Sequence, residues 1–227
     1  MATVLITGAN RGLGLEYARQ YATDGWHVIA TCRVPEDAHD LKSLEGDIVI
    51  HELDVLDHGQ IQALAKTLRR EAIDVLLNNA GIYGPKPSKL GGIAYDTWEE
   101  VMRINVMSPL KVCEAFRDHV SANEMKKIAV MSSKMGSMSD NDSGASYIYR
   151  SSKAALNAVM KSLSVDLKSR GISVAILHPG WVRTDMGGSG GLIGAPESVL
   201  GLRRAIENLT LENSGHFYNY DGSEIPW

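Results

Sequence analysis

Short runs of β-branched and aliphatic residues alternate with longer amphipathic stretches along all 227 residues. That alternation admits few folds, because strand–helix–strand units of this kind build a parallel sheet covered by helices on both faces. Candidate strands fall at Thr3–Thr7, 27–31, 47–53, 73–77, 128–131, 172–177 and 216–219. The run 73–77 is apolar throughout, as a central strand buried on both faces requires. Leu13, Tyr17 and Tyr21 recur at helical spacing after the first strand, and Ile61, Leu64, Ala65 and Leu68 after the third. Further helices are expected over 97–104, 109–121, 149–169 and 197–209. The third of these carries Ala155, Val159, Leu163 and Leu167 on one face and should stop near Gly171, where glycine accepts a left-handed conformation. The expected fold class is α/β: one domain over 1–227, a doubly wound parallel sheet of about seven strands. No internal repeat or linker interrupts it, and the glycine-rich stretch 187–194 is the one segment expected to be mobile.

Composition narrows the function. Apolar residues make up 44% and charged residues 22%, as in globular proteins, and the net charge is −4 with no basic run. Phosphate backbones need clustered Lys and Arg, so nucleic acid is excluded as an expected partner. The two cysteines, Cys32 and Cys113, are too few for a disulfide framework and suit a reducing compartment. The start Met1-Ala2-Thr3 lacks the basic and apolar regions of a signal peptide, and no run reaches the ~18 apolar residues of a membrane span. A cytoplasmic location is expected. His178 precedes Pro179, but no second ligand stands at metal spacing from it, and the other histidines are scattered, so no metal site is expected.

The first strand runs directly into Thr7-Gly8-Ala9-Asn10-Arg11-Gly12-Leu13-Gly14. Glycines at a strand-to-helix turn let the backbone approach a pyrophosphate, and the helix N-terminus adds free N–H groups and a favourable dipole. The spacing, Gly-x3-Gly-x-Gly, differs from the G-x-G-x-x-G fingerprint and by itself also fits a tight packing turn.

Four more segments accompany it in order: Asp54-Val55, Asn78-Asn79-Ala80-Gly81 and Pro179-Gly180 (with Val182 and Thr184 beyond) at expected strand ends, and Tyr149-Arg150-Ser151-Ser152-Lys153 at the start of the expected long helix. Together they resemble the short-chain dehydrogenase/reductase family over nearly the whole chain. The segments Ser132–Ser137, 178–186 and 218–222 are similar to its C-factor-like and Sniffer-type carbonyl reductase branch. The resemblance implies a Rossmann-type fold. It also implies a dinucleotide held by Gly8, Asn10, Arg11, Gly12, Leu13, Gly14, Asp54 and Val55 (at the adenine), Asn79, Ala80, Gly81, Pro179, Gly180, Val182 and Thr184. Homodimers or homotetramers are common in the family.

The chemistry follows from residue types. A free tyrosine has a pKa near ~10, so it donates a proton readily and accepts one poorly at neutral pH. A cation nearby favours the phenolate. Lys153 lies one helical turn from Tyr149 on the same face, so the pair is expected to give a tyrosine of lowered pKa, able to act as acid or base. The resemblance adds that Lys153 also holds the nicotinamide ribose, and that Asn105 positions a water leading to the lysine. Ser133, ending the fifth strand, is placed to donate to a substrate oxygen where charge develops. Ser132 would point oppositely, and the family pattern counted back from Gly136 selects Ser133. Tyr147 is a rival to Tyr149, but six residues separate it from Lys153, which puts it on the wrong helix face. The interval from Ser133 to Tyr149 exceeds the family's usual one, and Asp140-Asn141-Asp142-Ser143-Gly144 reads as the insertion that absorbs the difference.

The second strand ends Ala30-Thr31-Cys32-Arg33, with Cys32 where an NAD enzyme carries an acid. Arg33, with Arg11 in support, suits a 2′-phosphate, so NADP (NADPH) is favoured and NAD remains possible. Tyr83, Met135, Met138, Tyr147, Trp181 and Met186 are candidates for an apolar substrate wall. The expected activity is hydride transfer from NADPH to a small aldehyde or ketone, with Tyr149 as proton donor. The alternatives are a nucleotide-binding signalling protein of the C-factor kind and an NAD-linked alcohol dehydrogenase.

Overall fold

A computed structural model describes residues 1–86 and 89–227. Seven strands form one sheet: β1 Thr3–Thr7, β2 His27–Cys32, β3 Ile48–Glu52, β4 Val75–Asn78, β5 Lys127–Met131, β6 Ser173–His178 and β7 Phe217–Asn219. Their order is β3-β2-β1-β4-β5-β6-β7 and every pairing is parallel. The chain builds outward from β1 to β3, then crosses back to lay β4 on the other side of β1. At that reversal the connections leave to opposite faces and a crevice opens at the carboxyl ends of β1 and β4.

Neighbouring strand residues point to opposite faces, so one strand feeds two cores. Val4 and Ile6 join a layer with Tyr17, Val28, Leu77, Leu177 and Leu202, beneath helices α1 (Gly12–Thr23) and α7 (Ala195–Glu207). Leu5 joins Ile29, Leu76, Ile128, Phe116, Leu156 and Met160 beneath α3 (His58–Thr67), α5 (Ser108–Ser121) and α6 (Tyr147–Asp166). β1, β4 and β5 are buried along their whole length, whereas the edge strand β3 is partly open. A four-residue helix, α2 (His39–Lys42), precedes β3.

Expected and observed elements agree in order, and differ at ends where a specific residue decides. Pro196 takes the first turn of α7, where its missing N–H costs nothing, so α7 begins two residues before 197. The expected helices 97–104 and 109–121 are one continuous rod. α4 (Tyr95–Met102) passes through a π turn, Arg103–Met107, directly into α5. Pro109 has no N–H for the carbonyl four residues back, and Ser108 N–H bonds instead to the Arg103 carbonyl. The long α6 gives way to a 3-10 turn, Lys168–Arg170, capped by Gly171 in the left-handed region (φ 72°).

The layer under α5 depends on Phe116, which is wholly inaccessible to solvent. Phe116→Ala is expected to lower stability by about 3–5 kcal/mol, read as an earlier urea midpoint with an unchanged slope.

Candidate active site

The crevice at the reversal is tied shut along its floor. The Thr7 hydroxyl accepts from the N–H groups of Asn79 (3.0 Å) and Ala80 (3.1 Å). The Asn79 amide returns two bonds, to the carbonyls of Thr7 (3.0 Å) and Gly8 (2.9 Å). Gly14 lies so close that a Cβ there would stand 2.1 Å from the Gly8 oxygen and 2.6 Å from the Asn79 amide nitrogen. Gly8 and Gly12 both have positive φ (66° and 55°). No side chain caps the N-terminus of α1, so its first N–H groups face the crevice unpaired. A turn with its backbone exposed in this way at a helix N-terminus can admit a pyrophosphate.

On one side of the cradle β2 ends at buried Cys32, followed by the exposed Arg33. Arg11 is also exposed and reaches Asp185 at 3.7 Å. With 69% and 85% of the two side chains in water, that pair contributes little to stability. The Asp54 carboxylate folds onto its own turn, accepting from Leu56 N–H at 2.9 Å. Across the mouth, Thr184 approaches Gly12, and Val182 is buried and bridged to Ile193. The stretch 187–194 was expected to be mobile, but it is a knot of short bonds. Gly188 donates to Thr184 (2.7 Å), Leu192 to Trp181 (2.7 Å) and Arg183 to Ile193 (3.0 Å). A Cβ at Gly187 would sit 2.0 Å from the Val182 oxygen, so close packing demands that glycine.

Tyr149 is buried in the first turn of α6. The Ser133 hydroxyl, which accepts from Met135 N–H at 3.2 Å, is near enough to favour the phenolate. Ser132 points into α6, donating to the Asn157 side-chain oxygen at 2.5 Å, so the structure places Ser133 and not Ser132 at the tyrosine. Lys153 follows one turn later, its ammonium donating to the Met131 carbonyl at 2.8 Å and standing 5.7 Å from the centre of the Tyr149 ring.

The electrostatics overturn one expectation. Burial pushes the Tyr149 phenol up to about 12, the Ser133 hydroxyl opposing and Tyr83 adding to the rise. Burial also pushes Lys153 down to about 8. The lysine therefore does not bring the free tyrosine's pKa below its ordinary value. Desolvation outweighs an ammonium whose hydrogen bond goes to a carbonyl rather than to the phenol.

Asn105, in the π turn, is fully engaged. Its oxygen accepts from Ile82 N–H (2.9 Å), and its amide donates to the Ile82 carbonyl (2.8 Å) and the Ser152 hydroxyl (3.0 Å). Gly81 separates it from the lysine: a Cβ there would lie 3.2 Å from the Asn105 oxygen and 3.7 Å from the Lys153 nitrogen. Asn105, Gly81 and Lys153 thus meet at one point.

Of the wall residues, Tyr83 is closest to the chemistry. Its ring stacks on Tyr149 with centroids 4.3 Å apart, and its hydroxyl lies 3.1 Å from Ser146 Oγ and 3.8 Å from Met135 Sδ. Lys86 covers the Tyr83 ring at 4.2 Å and donates to the Met186 carbonyl at 3.2 Å. Trp181 bonds its own loop at the Gly187 carbonyl (2.8 Å). Tyr147, Met138, Trp181 and Met186 keep large exposed surfaces at the rim. The Tyr83–Tyr149 stack and the Met131 carbonyl under Lys153 carry no sequence signal, since both depend on contacts between distant strands and helices.

Cradle, reversal and the Ser133, Tyr149, Lys153 cluster define a dinucleotide-dependent oxidoreductase site on a doubly wound sheet. The chain belongs to the short chain dehydrogenase family, whose model matches residues 2–190. It is 41% identical over 167 residues to the C-signal protein of Myxococcus xanthus, covering 74% of this chain and 100% of that one. It superposes on the carbonyl reductase Sniffer of D. melanogaster with a TM-score of 0.92 at 35% identity, over 100% of both chains. It superposes on an NADPH-bound carbonyl reductase from chicken fatty liver with a TM-score of 0.90 at 33% identity, over 100% of this chain and 99% of that one. Among the described residues no helix is long and apolar enough to cross a membrane.

Gly14→Ala places a methyl inside the cradle. It is expected to weaken dinucleotide binding by about tenfold or more, ~1.4 kcal/mol, in calorimetric titration.

Proposed function

We propose that this protein reduces aldehyde or ketone carbonyls with NADPH as hydride donor, and that Tyr149 supplies the proton. The observation that carries this reading is the buried Tyr149 one helical turn from the buried Lys153, whose nitrogen stands 5.7 Å from the phenol ring, at the carboxyl edge beside the glycine loop.

The chain's residues fit the dinucleotide. Gly8, Gly12, Gly14 and the uncapped α1 N-terminus would hold the pyrophosphate. The exposed forks of Arg33 and Arg11 beside a strand end without an acid suit a 2′-phosphate. Bound NADPH supplies the hydride. Ser133 and Tyr149 then orient the substrate oxygen and stabilise the charge that grows on it. A phenol held near 12 stays protonated at every working pH, which suits it to give a proton and makes it a poor base. Lys153, charged below about 8, offsets the phenolate left behind. Asn105 holds the Ile82 peptide and the α6 turn at Ser152, and with Pro109 following, its own carbonyl is spared the usual helix bond and can hold a water that re-supplies the proton.

The similarity to C-signal favours a second reading, a nucleotide-binding protein with a signalling role. The two readings part on turnover. NADPH is expected to bind more tightly than NADH, and its absorbance at the nicotinamide band should fall with hydrophobic aldehydes or diketones. Tyr149→Phe should keep NADPH binding and lose roughly 10²-fold or more in kcat. Tight binding without turnover on any carbonyl would move the weight to the signalling role.

The pH dependence has a definite sign. Lys153 is lowered to about 8, so its charged form prevails below that value. The kcat for reduction is expected to hold at lower pH and to decline as pH rises through about 8. A rate still climbing at about pH 9 would remove Lys153 from this role.

A further inference from the structure

The segment 225–227 lies far in sequence from Ser133, yet it docks on the turn that carries it. Ile225 is buried, and its N–H bonds the Phe217 carbonyl of β7 at 2.8 Å. The Trp227 ring stacks on Phe217 with centroids 5.9 Å apart. The main-chain oxygen of Trp227 then accepts from three donors of one loop: Met138 N–H, Ser139 N–H (3.2 Å) and the Ser137 hydroxyl (3.1 Å). The same hydroxyl reaches the Pro226 carbonyl at 2.6 Å and accepts from Asp140 N–H at 3.2 Å. Ser137 is 2% exposed.

Between Ser137 and Ser133 there is little slack. The 3-10 turn Lys134–Gly136 is closed by Gly136 N–H to the Ser133 carbonyl (2.7 Å) and Ser137 N–H to the Lys134 carbonyl (2.9 Å). Lys134 pairs with Asp140 at 3.0 Å across the loop. Gly136 lies flat on α6 at the lysine: a Cβ there would be 2.8 Å from the Lys153 carbonyl carbon. The turn is thus pressed between α6 on one side and the 225–227 segment on the other.

We propose that Ser137 is a positioning residue. By holding the main chain of Pro226 and Trp227 it clamps the Lys134–Gly136 turn, and so fixes the Ser133 hydroxyl against Tyr149. This rests on the reading of Ser133 and Tyr149 given above. A short rigid path matters because a hydroxyl displaced by a fraction of an ångström loses alignment with the reacting oxygen. On this reading Ser137 acts through the turn that carries Ser133, with its hydroxyl engaged by the main chain of Pro226, Trp227 and Asp140.

The test is a double-mutant cycle with a structural readout. Wild type, Ser137→Ala, Ser133→Ala and the double variant are assayed for carbonyl reduction, NADPH affinity and amide hydrogen exchange over 133–140. Ser137→Ala should speed exchange in the 133–137 turn and lower kcat about tenfold, with NADPH affinity kept within about twofold. On the Ser133→Ala background it should cost less than about twofold, because the group it positions is gone. Ser137→Thr, which keeps the hydroxyl, should restore kcat. Unchanged exchange in the turn, or an equal loss on both backgrounds, would overturn the proposal. Tyr149→Phe in the same series separates the two levels. If that variant keeps its turnover, the reading of the site fails. If it is inactive and the cycle is additive, only the role of Ser137 fails.

Discussion

The hydrogen bonds between Thr7 and Asn79 are the constraint on which the site depends. A parallel sheet whose order reverses at its centre leaves a crevice at the reversal, and the crevice would splay without a tie across the strand ends. Thr7 supplies one acceptor to two N–H groups, and Asn79 returns two donors to the carbonyls of Thr7 and Gly8. All four bonds join the last residue of β1 or the one after it to the first two residues beyond β4. They hold the glycine loop at the depth where Gly14 must lack a Cβ. The same tie sets the height of Gly81, and with it the point where Asn105 and Lys153 meet. The glycine loop and the Asn105, Gly81 and Lys153 meeting point therefore adjoin one local network.

Burial is the second determinant, and it acts against the obvious electrostatics. In water a lysine one turn from a tyrosine would favour the phenolate. Here both groups are enclosed, and desolvation penalises each charged form more than their proximity helps. The outcome is a tyrosine that holds its proton and a lysine near the edge of holding its own. Tyr83, stacked on the phenol ring, deepens that enclosure on one face.

What the sequence disclosed divides along physical lines. Period-two and period-3.6 patterns are local, and they placed all seven strands and the main helices in the right order. Strand ends face the crevice in this topology, so the glycine loop and the segments at Asn79 and Ser133 could be placed there from the sequence, with Ser133 chosen over Ser132 by the family resemblance. The helical spacing of Tyr149 and Lys153 was legible too, and the structure buries both while leaving Tyr147 exposed. The π turn was not legible, although Pro109 was its signal. A proline after a helical run reads as a break between two helices, and only the packing of Asn105 against Ile82 shows that the rod continues. Nor was the sign of the Tyr149 shift, because sequence spacing measures the distance between two charges and says nothing of the solvent that each has lost.

The glycines of 187–194 show the same limit from the other side. Composition made them a hinge, since glycine carries the most backbone freedom. In place, two of them are required because the backbone of 182–183 occupies the space of their side chains. Freedom in the unfolded chain and close packing in the folded one select the same residue, and only a neighbour far from the local window distinguishes them. The contacts of the 225–227 segment are of that kind: about ninety residues separate Ser137 from the carbonyls it binds. Local patterns specify which groups reach the edge of the sheet. The alignment of those groups to within a hydrogen bond is set by such distant contacts.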